Sequence, residues 1–132
     1  MEGSLKDLSN YRLETAKEDL KRAKREYEIR DYKLSLNRSY YAFFHAMRAV
    51  NSLDGFDSSK HSGVIAHFNQ YHVKNGDFPK NSSKMIKEAM EIRQKSDYED
   101  FYIASEKKAK EQLENAKHFV GLVERFLKDS NL

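Results

Sequence analysis

From Leu34 to Leu53 the chain reads LSLNRSYYAFFHAMRAVNSL, with apolar or aromatic residues on nearly every side of a helical projection. No Gly or Pro interrupts the run, and Arg38 and Arg48 are its only charges. A surface helix carries one apolar stripe, whereas a helix that is apolar all round has to be buried. At helical rise the run spans about 30 Å, enough to cross a small domain. The pattern predicts a central core helix against which the remaining helices pack.

The flanking segments show the complementary, one-sided pattern. Leu13, Ala16, Leu20, Ala23 and Tyr27 step by three and four between charged residues, which predicts an amphipathic helix over residues 8–29. Asp31 stands where an N-cap for the central helix belongs, and the short connection implies an antiparallel hairpin. Asp54-Gly55 signals a turn, after which Ser58 and Ser59 can cap a third helix carrying Val64, Ile65, Phe68 and Tyr71. The segment VKNGDFPKNSS, with Asn75-Gly76 and Pro79, reads as a loop. Asn81, Ser82 or Ser83 then caps a fourth helix bearing Met85, Ile86, Ala89, Met90 and Ile92. KSDYEDFYIAS is too polar to continue a long helix, yet unusually aromatic for a loop. Ser105 opens a closing helix with Ala109, Leu113, Ala116, Val120, Val123 and Leu127 as its stripe, and Phe119 and Phe126 beside it. No segment sustains period-two alternation. The expected fold is all-α, an up-and-down bundle of about five helices in a single domain over residues 1–132, its core at 8–128.

Composition narrows the picture without changing it. A chain of 132 residues can bury a core unaided, and the absence of Cys excludes disulfides and thiolate metal sites. MEGSLKDLSN holds no apolar run of the signal-peptide kind, and Asn37, Arg38, Ser39, His45 and Arg48 interrupt the longest apolar region too often for a bilayer span. A cytoplasmic protein without membrane contact is expected. Charge is uneven: residues 34–84 hold six Lys or Arg against three Asp or Glu, which accounts for the whole net charge of +3. Four of the five histidines lie in this same region. Such a basic middle can attract phosphate groups, or can simply mark a buried helix that lacks acids.

The helical hairpin leading into NRSYYAFFHAMRAV, then KHSGVIAHF, then EIRQKSDYEDF, resembles prokaryotic HEPN-domain proteins, and more narrowly their small stand-alone subfamily. The likeness covers residues 10–127 with its three segments in the family's order. It implies a helical bundle that pairs into a homodimer, commonly beside a minimal nucleotidyltransferase partner in a toxin–antitoxin or related two-component system. Active members of that superfamily are metal-independent ribonucleases, while others bind nucleotides or are inactive scaffolds. The ribonuclease signature is an Arg with a polar neighbour, followed by His after four to six residues. The chemistry needs that pair: histidine moves protons near neutral pH, and arginine offers a fork of donors to phosphate oxygens.

Two places meet this pattern in part. Arg38 and His45 have the right spacing, with Ser39 as polar neighbour, and a rotation of about 700° puts them on one face together with Tyr41. They read either as a catalytic pair or as polar residues satisfied inside a buried helix. Arg93-Gln94 matches the family's position better, near Ile92–Tyr98, but no His follows. Asp97 replaces a proton donor poorly, and Arg93 with Asp97 can form an i, i+4 ion pair. Tyr98 can stack on a base. Lys60 and His61 at the start of the third helix offer an anion site, or simply a capped end with an exposed His. The candidate catalytic set is therefore Arg38, His45 and Arg93, and the candidate RNA- or nucleotide-binding set is Tyr41, Lys60, His61, Gln94, Asp97 and Tyr98.

No metal or other cofactor is expected. His67 and His72 are five apart and do not share an α-helical face, and Glu114 with His118 lacks a third ligand and reads as a surface pair. Three functions follow in order: a HEPN-type module that binds a nucleotidyltransferase and RNA or nucleotide, a metal-independent ribonuclease toxin, and a purely structural bundle.

Overall fold

The computed structural model describes residues 3–130. Met1, Glu2, Asn131 and Leu132, counted in the expected domain, lie outside the described residues. The chain forms α1 (Leu5–Glu28), α2 (Tyr32–Leu53), α3 (His61–Phe68) continued by a π-helical turn (Asn69–Val73), α4 (Asn81–Tyr98) and α5 (Glu106–Asp129). The expected all-α, five-helix, up-and-down bundle is what forms. Among the described residues no helix is long and apolar enough to cross a membrane.

Helix α2 is the centre, with 13 of its 22 residues buried. Phe43 stacks on Phe119 of α5 at 5.2 Å between ring centroids, and Phe68 of α3 meets Phe119 edge-on at 5.5 Å. Each such fully buried ring contributes about 1.5–3 kcal/mol relative to exposure. Toward α1 the packing uses small residues instead: Ala16, Ala23, Ala42, Ala46 and Ala49 are completely buried. The two backbones approach closely enough for Ser9 Oγ to donate to the Ala49 carbonyl at 2.6 Å and Ser35 Oγ to the Ala23 carbonyl at 2.8 Å.

The hairpin between α1 and α2 turns in three residues. Arg30 adopts a left-handed φ of 66°, and the Asp31 N–H reaches back to the Glu26 carbonyl at 2.8 Å, closing a Schellman turn. The Asp31 carboxylate then accepts the Leu34 N–H at 3.2 Å, so one residue ends the first helix and caps the second, as expected. Ser105 caps α5 in the same way through the Lys108 N–H.

Several expectations are corrected. Ser58 does not cap α3 directly: its Oγ accepts the Lys60 N–H at 3.1 Å, and the helix begins only at His61. Gly63 permits this, because a Cβ there would lie 2.6 Å from Ser58 Oγ. At α4, Lys80 rather than Asn81, Ser82 or Ser83 occupies the N-cap, without a side-chain hydrogen bond. The Pro79 carbonyl closes that first turn onto the Ser82 N–H, and Ser83 Oγ is drawn to Asn69 Oδ1 at 2.7 Å. The polar stretch Lys95–Tyr98 remains helical, because Asp97 is tied to Arg93 on its own helix and to Asn37 on α2. Phe78, inside the expected loop, is buried between Phe68 and Phe126 and pins that loop to the core.

The largest correction concerns phase. On an α-helix His67 and His72 would sit about 140° apart. The π-helical turn closes on i→i+5, seen in the 3.0 Å bond from the Lys74 N–H to the Asn69 carbonyl, and brings both imidazoles to Asp54. Tyr71, expected on the buried stripe, faces out instead, and His72 is buried.

Candidate functional site

Asn37, Tyr40, Tyr41 and Phe44 recur at i, i+3, i+4 and i+7, so they form one face of α2. Arg93 of α4 lies across that face. Its guanidinium carbon is 5.4 Å from the ring centroids of both Tyr40 and Tyr41, and 5.8 Å from that of Tyr98. Nη2 donates to the Tyr41 hydroxyl at 3.1 Å. Nε is 3.0 Å from Asp97 Oδ2, but its N–H is not aimed at that oxygen, so this contact is charge pairing rather than a hydrogen bond. Asn37 Nδ2 donates to the same carboxylate oxygen at 3.1 Å. The arginine is thus oriented by aromatic faces and a carboxylate while most of its donor fork stays uncommitted.

His61, the first residue of α3, closes the other side. Its ring stacks on Phe44 at 4.1 Å, and its Nδ1 is 2.7 Å from the Tyr40 hydroxyl. Burial, helped by the positive charges of Arg93 and Arg48, lowers the His61 pKa, so the ring is neutral at pH 7. Burial pushes the Tyr40 phenol up to about 12, with Arg93 pulling against it. A neutral imidazole and a protonated phenol therefore share one hydrogen bond. Among the described residues no protein group bonds the remaining His61 nitrogen, Nε2. Arg48 stands beside the stack, 5.8 Å over Phe44, and is held by Asp57 at 3.1 Å.

The next face of α2 turns toward α1. Arg38 Nη1 is 3.7 Å from Asp19 Oδ1, and His45 Nε2 is 3.8 Å from Asp19 Oδ2. Both separations are too long for hydrogen bonds. Asp19 Oδ2 and His45 Nδ1 are buried with no hydrogen-bond partner. Burial raises the Asp19 pKa, opposed by Arg38 and Arg22. Burial lowers His45 to about 4, with Arg48, Arg12 and His61 adding to the effect. A histidine held neutral that far below its ordinary value is a poor proton donor at pH 7.

The structure therefore brings Tyr41, His61, Arg93, Asp97 and Tyr98 together. Arg38 is turned away to Asp19. His45 adjoins the group only through ring contacts, 5.4 Å from Phe44 and 6.1 Å from Tyr41 between centroids. Lys60 is exposed at the N-cap of α3. Gln94 makes no hydrogen bond to Arg93 or its partners and reaches the group only at Tyr98, with which it lines a shallow surface hollow beside Glu91, Lys95 and Glu99. Asn37, Tyr40 and Phe44 are additional members, and their spacing along α2 with Tyr41 was the available signal. Asp19 had none, since it lies on a helix whose other acids are solvent-facing.

With this geometry in view, the comparison with protein families is decisive: the HEPN domain model matches residues 9–126. The chain is a HEPN-domain protein. The HEPN match takes in both faces of α2 and all of α4. The chain is 34% identical over 95 residues to a Thermotoga maritima protein named UPF0332 protein, covering 72% of each. It is 31% identical over 121 residues to a Methanocaldococcus jannaschii protein named "Putative toxin MJ0605", covering 89% of this chain and 87% of that one. A second M. jannaschii protein, named "Putative toxin MJ0142", is 24% identical over 120 residues, 91% of this chain and 82% of its own.

Proposed function

We propose that this HEPN chain is the toxin-like member of a cytoplasmic two-component system, binding RNA or a nucleotide on the face shared by α2, α3 and α4. The observation that carries the reading is Arg93, enclosed by the rings of Tyr40, Tyr41 and Tyr98 with its charge paired to Asp97 and most of its donors uncommitted. Arginine in that state suits a phosphate group, and Tyr98, 73% exposed at its edge, suits a stacked base. The names of the M. jannaschii relatives support the toxin-like part.

The partners proposed are a second copy of the chain and a minimal nucleotidyltransferase. Tyr98, Phe101 and Ile103 support a docking role, since large apolar side chains this exposed at one end of a helix mark interaction surfaces. Light scattering and co-purification with a co-expressed nucleotidyltransferase test it. A monomer that retains neither RNA, nucleotide nor nucleotidyltransferase would leave only a structural bundle.

A second reading, metal-independent RNA cleavage, is favoured by one observation: His61 is neutral, hydrogen-bonded to Tyr40 and beside Arg93. Cleavage of tRNA or mRNA in chelator, compared among wild type, His61→Ala, His45→Ala and Arg93→Ala, separates the readings. Loss in His61→Ala and Arg93→Ala with retention in His45→Ala supports cleavage at this face. Binding without cleavage supports the first reading.

A further inference from the structure

We propose that Asp54, His67 and His72 form a binding site for one late first-row divalent cation, with Zn²⁺ the best-matched ion. The site lies at the far end of α3 from His61 and does not depend on the function proposed above. Asp54 stands at the C-cap of α2, His67 in the last turn of α3, and His72 within the π-helical turn. One ligand atom from each side chain lies within 4.8 Å of the other two. The Nε2 atoms of both imidazoles point at the same carboxylate oxygen, at 2.9 Å for His67 and 2.6 Å for His72.

Three features argue for a ligand site rather than an incidental cluster. The rings are held before any ion arrives: His67 lies flat on Phe56 at 4.0 Å, and His72 is buried with its ring edge-on to Phe126 at 5.7 Å. His72 is also oriented from behind, its Nδ1 lying 2.9 Å from Asp77 Oδ2. That carboxylate is fixed in turn by Asn75 Nδ2 at 3.1 Å. Without an ion, His72 bridges two carboxylates, and a proton has to sit between Nε2 and Asp54. A cation takes the place of that proton, while Asp77 keeps the proton on Nδ1 and strengthens Nε2 as a ligand. Finally, the backbone distortion serves this convergence, since only the π-helical turn places two histidines five apart on one carboxylate.

The donor set decides the ion. Two imidazole nitrogens and one carboxylate oxygen suit Zn²⁺ and its neighbours; Ca²⁺ and Mg²⁺ require six or more oxygens. Tetrahedral Zn²⁺ with bonds of about 2.0–2.1 Å needs ligand atoms about 3.3 Å apart, so Asp54 has to retreat by about half an ångström. Its side chain is 35% exposed at a helix end and has that freedom. The hollow bounded by Leu53, Tyr71 and Ser130 leaves the fourth position open to water or an anionic ligand.

The test uses the untagged full chain, stripped with chelator and confirmed native by circular dichroism. Zn²⁺ is titrated by calorimetry and Co²⁺ by visible absorption. Expected are one equivalent per chain, a four-coordinate Co²⁺ spectrum displaced by Zn²⁺, and a chelator-reversible rise in Tm. His67→Gln and Asp54→Asn abolish the spectrum without changing the circular dichroism, and Asp77→Asn weakens binding by about 10–100-fold. A native wild type that binds neither ion below millimolar concentration overturns the proposal. Binding undiminished in both His67→Gln and Asp54→Asn overturns it as well, and would place the ion elsewhere, for example at His118. In either case the cluster is a hydrogen-bonded clamp with His72 bridging two carboxylates.

Discussion

The two polar faces of α2 use the same residue types to opposite effect. Toward α4, Arg93 meets Asp97 at 3.0 Å and Tyr41 at 3.1 Å, and three aromatic rings share its charge. Toward α1, Arg38 and His45 stop 3.7 and 3.8 Å short of Asp19, leaving Asp19 Oδ2 and His45 Nδ1 buried and unpaired. On the α4 face Arg93 Nε also lacks a hydrogen bond, but it still lies 3.0 Å from a carboxylate. Burial without hydrogen bonds penalises charge, and that is why His45 falls to about 4 while Asp19 rises. The first face holds a cation ready for an anion from outside. The second holds a mostly buried cluster in which the ionised Asp19 carboxylate is costly to the fold. An Arg–His spacing in sequence says nothing about which of these a helix face will be.

The comparison is broken or sharpened by four measurements. The largest expected effect is on ligand affinity. Arg93→Ala lowers RNA or nucleotide binding by about 10–100-fold, as for loss of charge-assisted hydrogen bonds, while Arg38→Ala changes it by less than about threefold. Equal losses measured by fluorescence anisotropy would erase the distinction between the faces.

Next is the pH dependence of stability. The folded-state pKa of His45 lies below its ordinary 6.5, so the unfolded chain binds the extra proton first. Its contribution is fully present above pH 6.5 and is lost as pH falls to about 4, by up to about 3 kcal/mol. Urea denaturation at a series of pH values reads this loss in wild type, and His45→Gln flattens it.

Asp19 acts in the reverse sense. Its raised pKa means that stability falls as pH rises from 3.8 through the folded value, so at neutral pH the ionised carboxylate is a burden. Asp19→Asn is expected to raise stability at pH 7 by on the order of 1 kcal/mol. Asp97→Asn has the opposite sign, a loss of a few tenths of a kcal/mol, since that carboxylate is well paired. A destabilised Asp19→Asn would show that the Arg38 contact matters more than burial does. The smallest effect is Tyr41→Phe, which removes one hydrogen bond to Arg93 and lowers affinity about threefold, read in the same anisotropy assay.

Much of the scaffold was legible from local pattern. The all-round apolarity of residues 34–53 led to the buried α2, and Asp31 to its cap. Asn75-Gly76 and Pro79 led to the loop before α4. Each of these rests on neighbours three or four positions away, which a linear reading captures. The errors have a common origin in contacts from further off. Ser83 was drawn to Asn69, and Lys95–Tyr98 stayed helical through Asn37 on another helix. The site was legible in its types but not in its grouping: Arg93, Asp97 and Tyr98 were anticipated together, while Asn37, Tyr40 and Phe44 were missed.

What the chain alone determined is which helices exist and which one lies at the centre, because burial of apolar area depends on composition at helical spacing. What the tertiary structure decided is which polar groups meet. Arg38 and Arg93 each meet the Arg–His pattern in part on paper and face different helices in space, and the convergence of His67 and His72 hangs on one extra residue in a turn. A rotation of that size leaves the hydrophobic pattern intact but redirects every polar side chain beyond it.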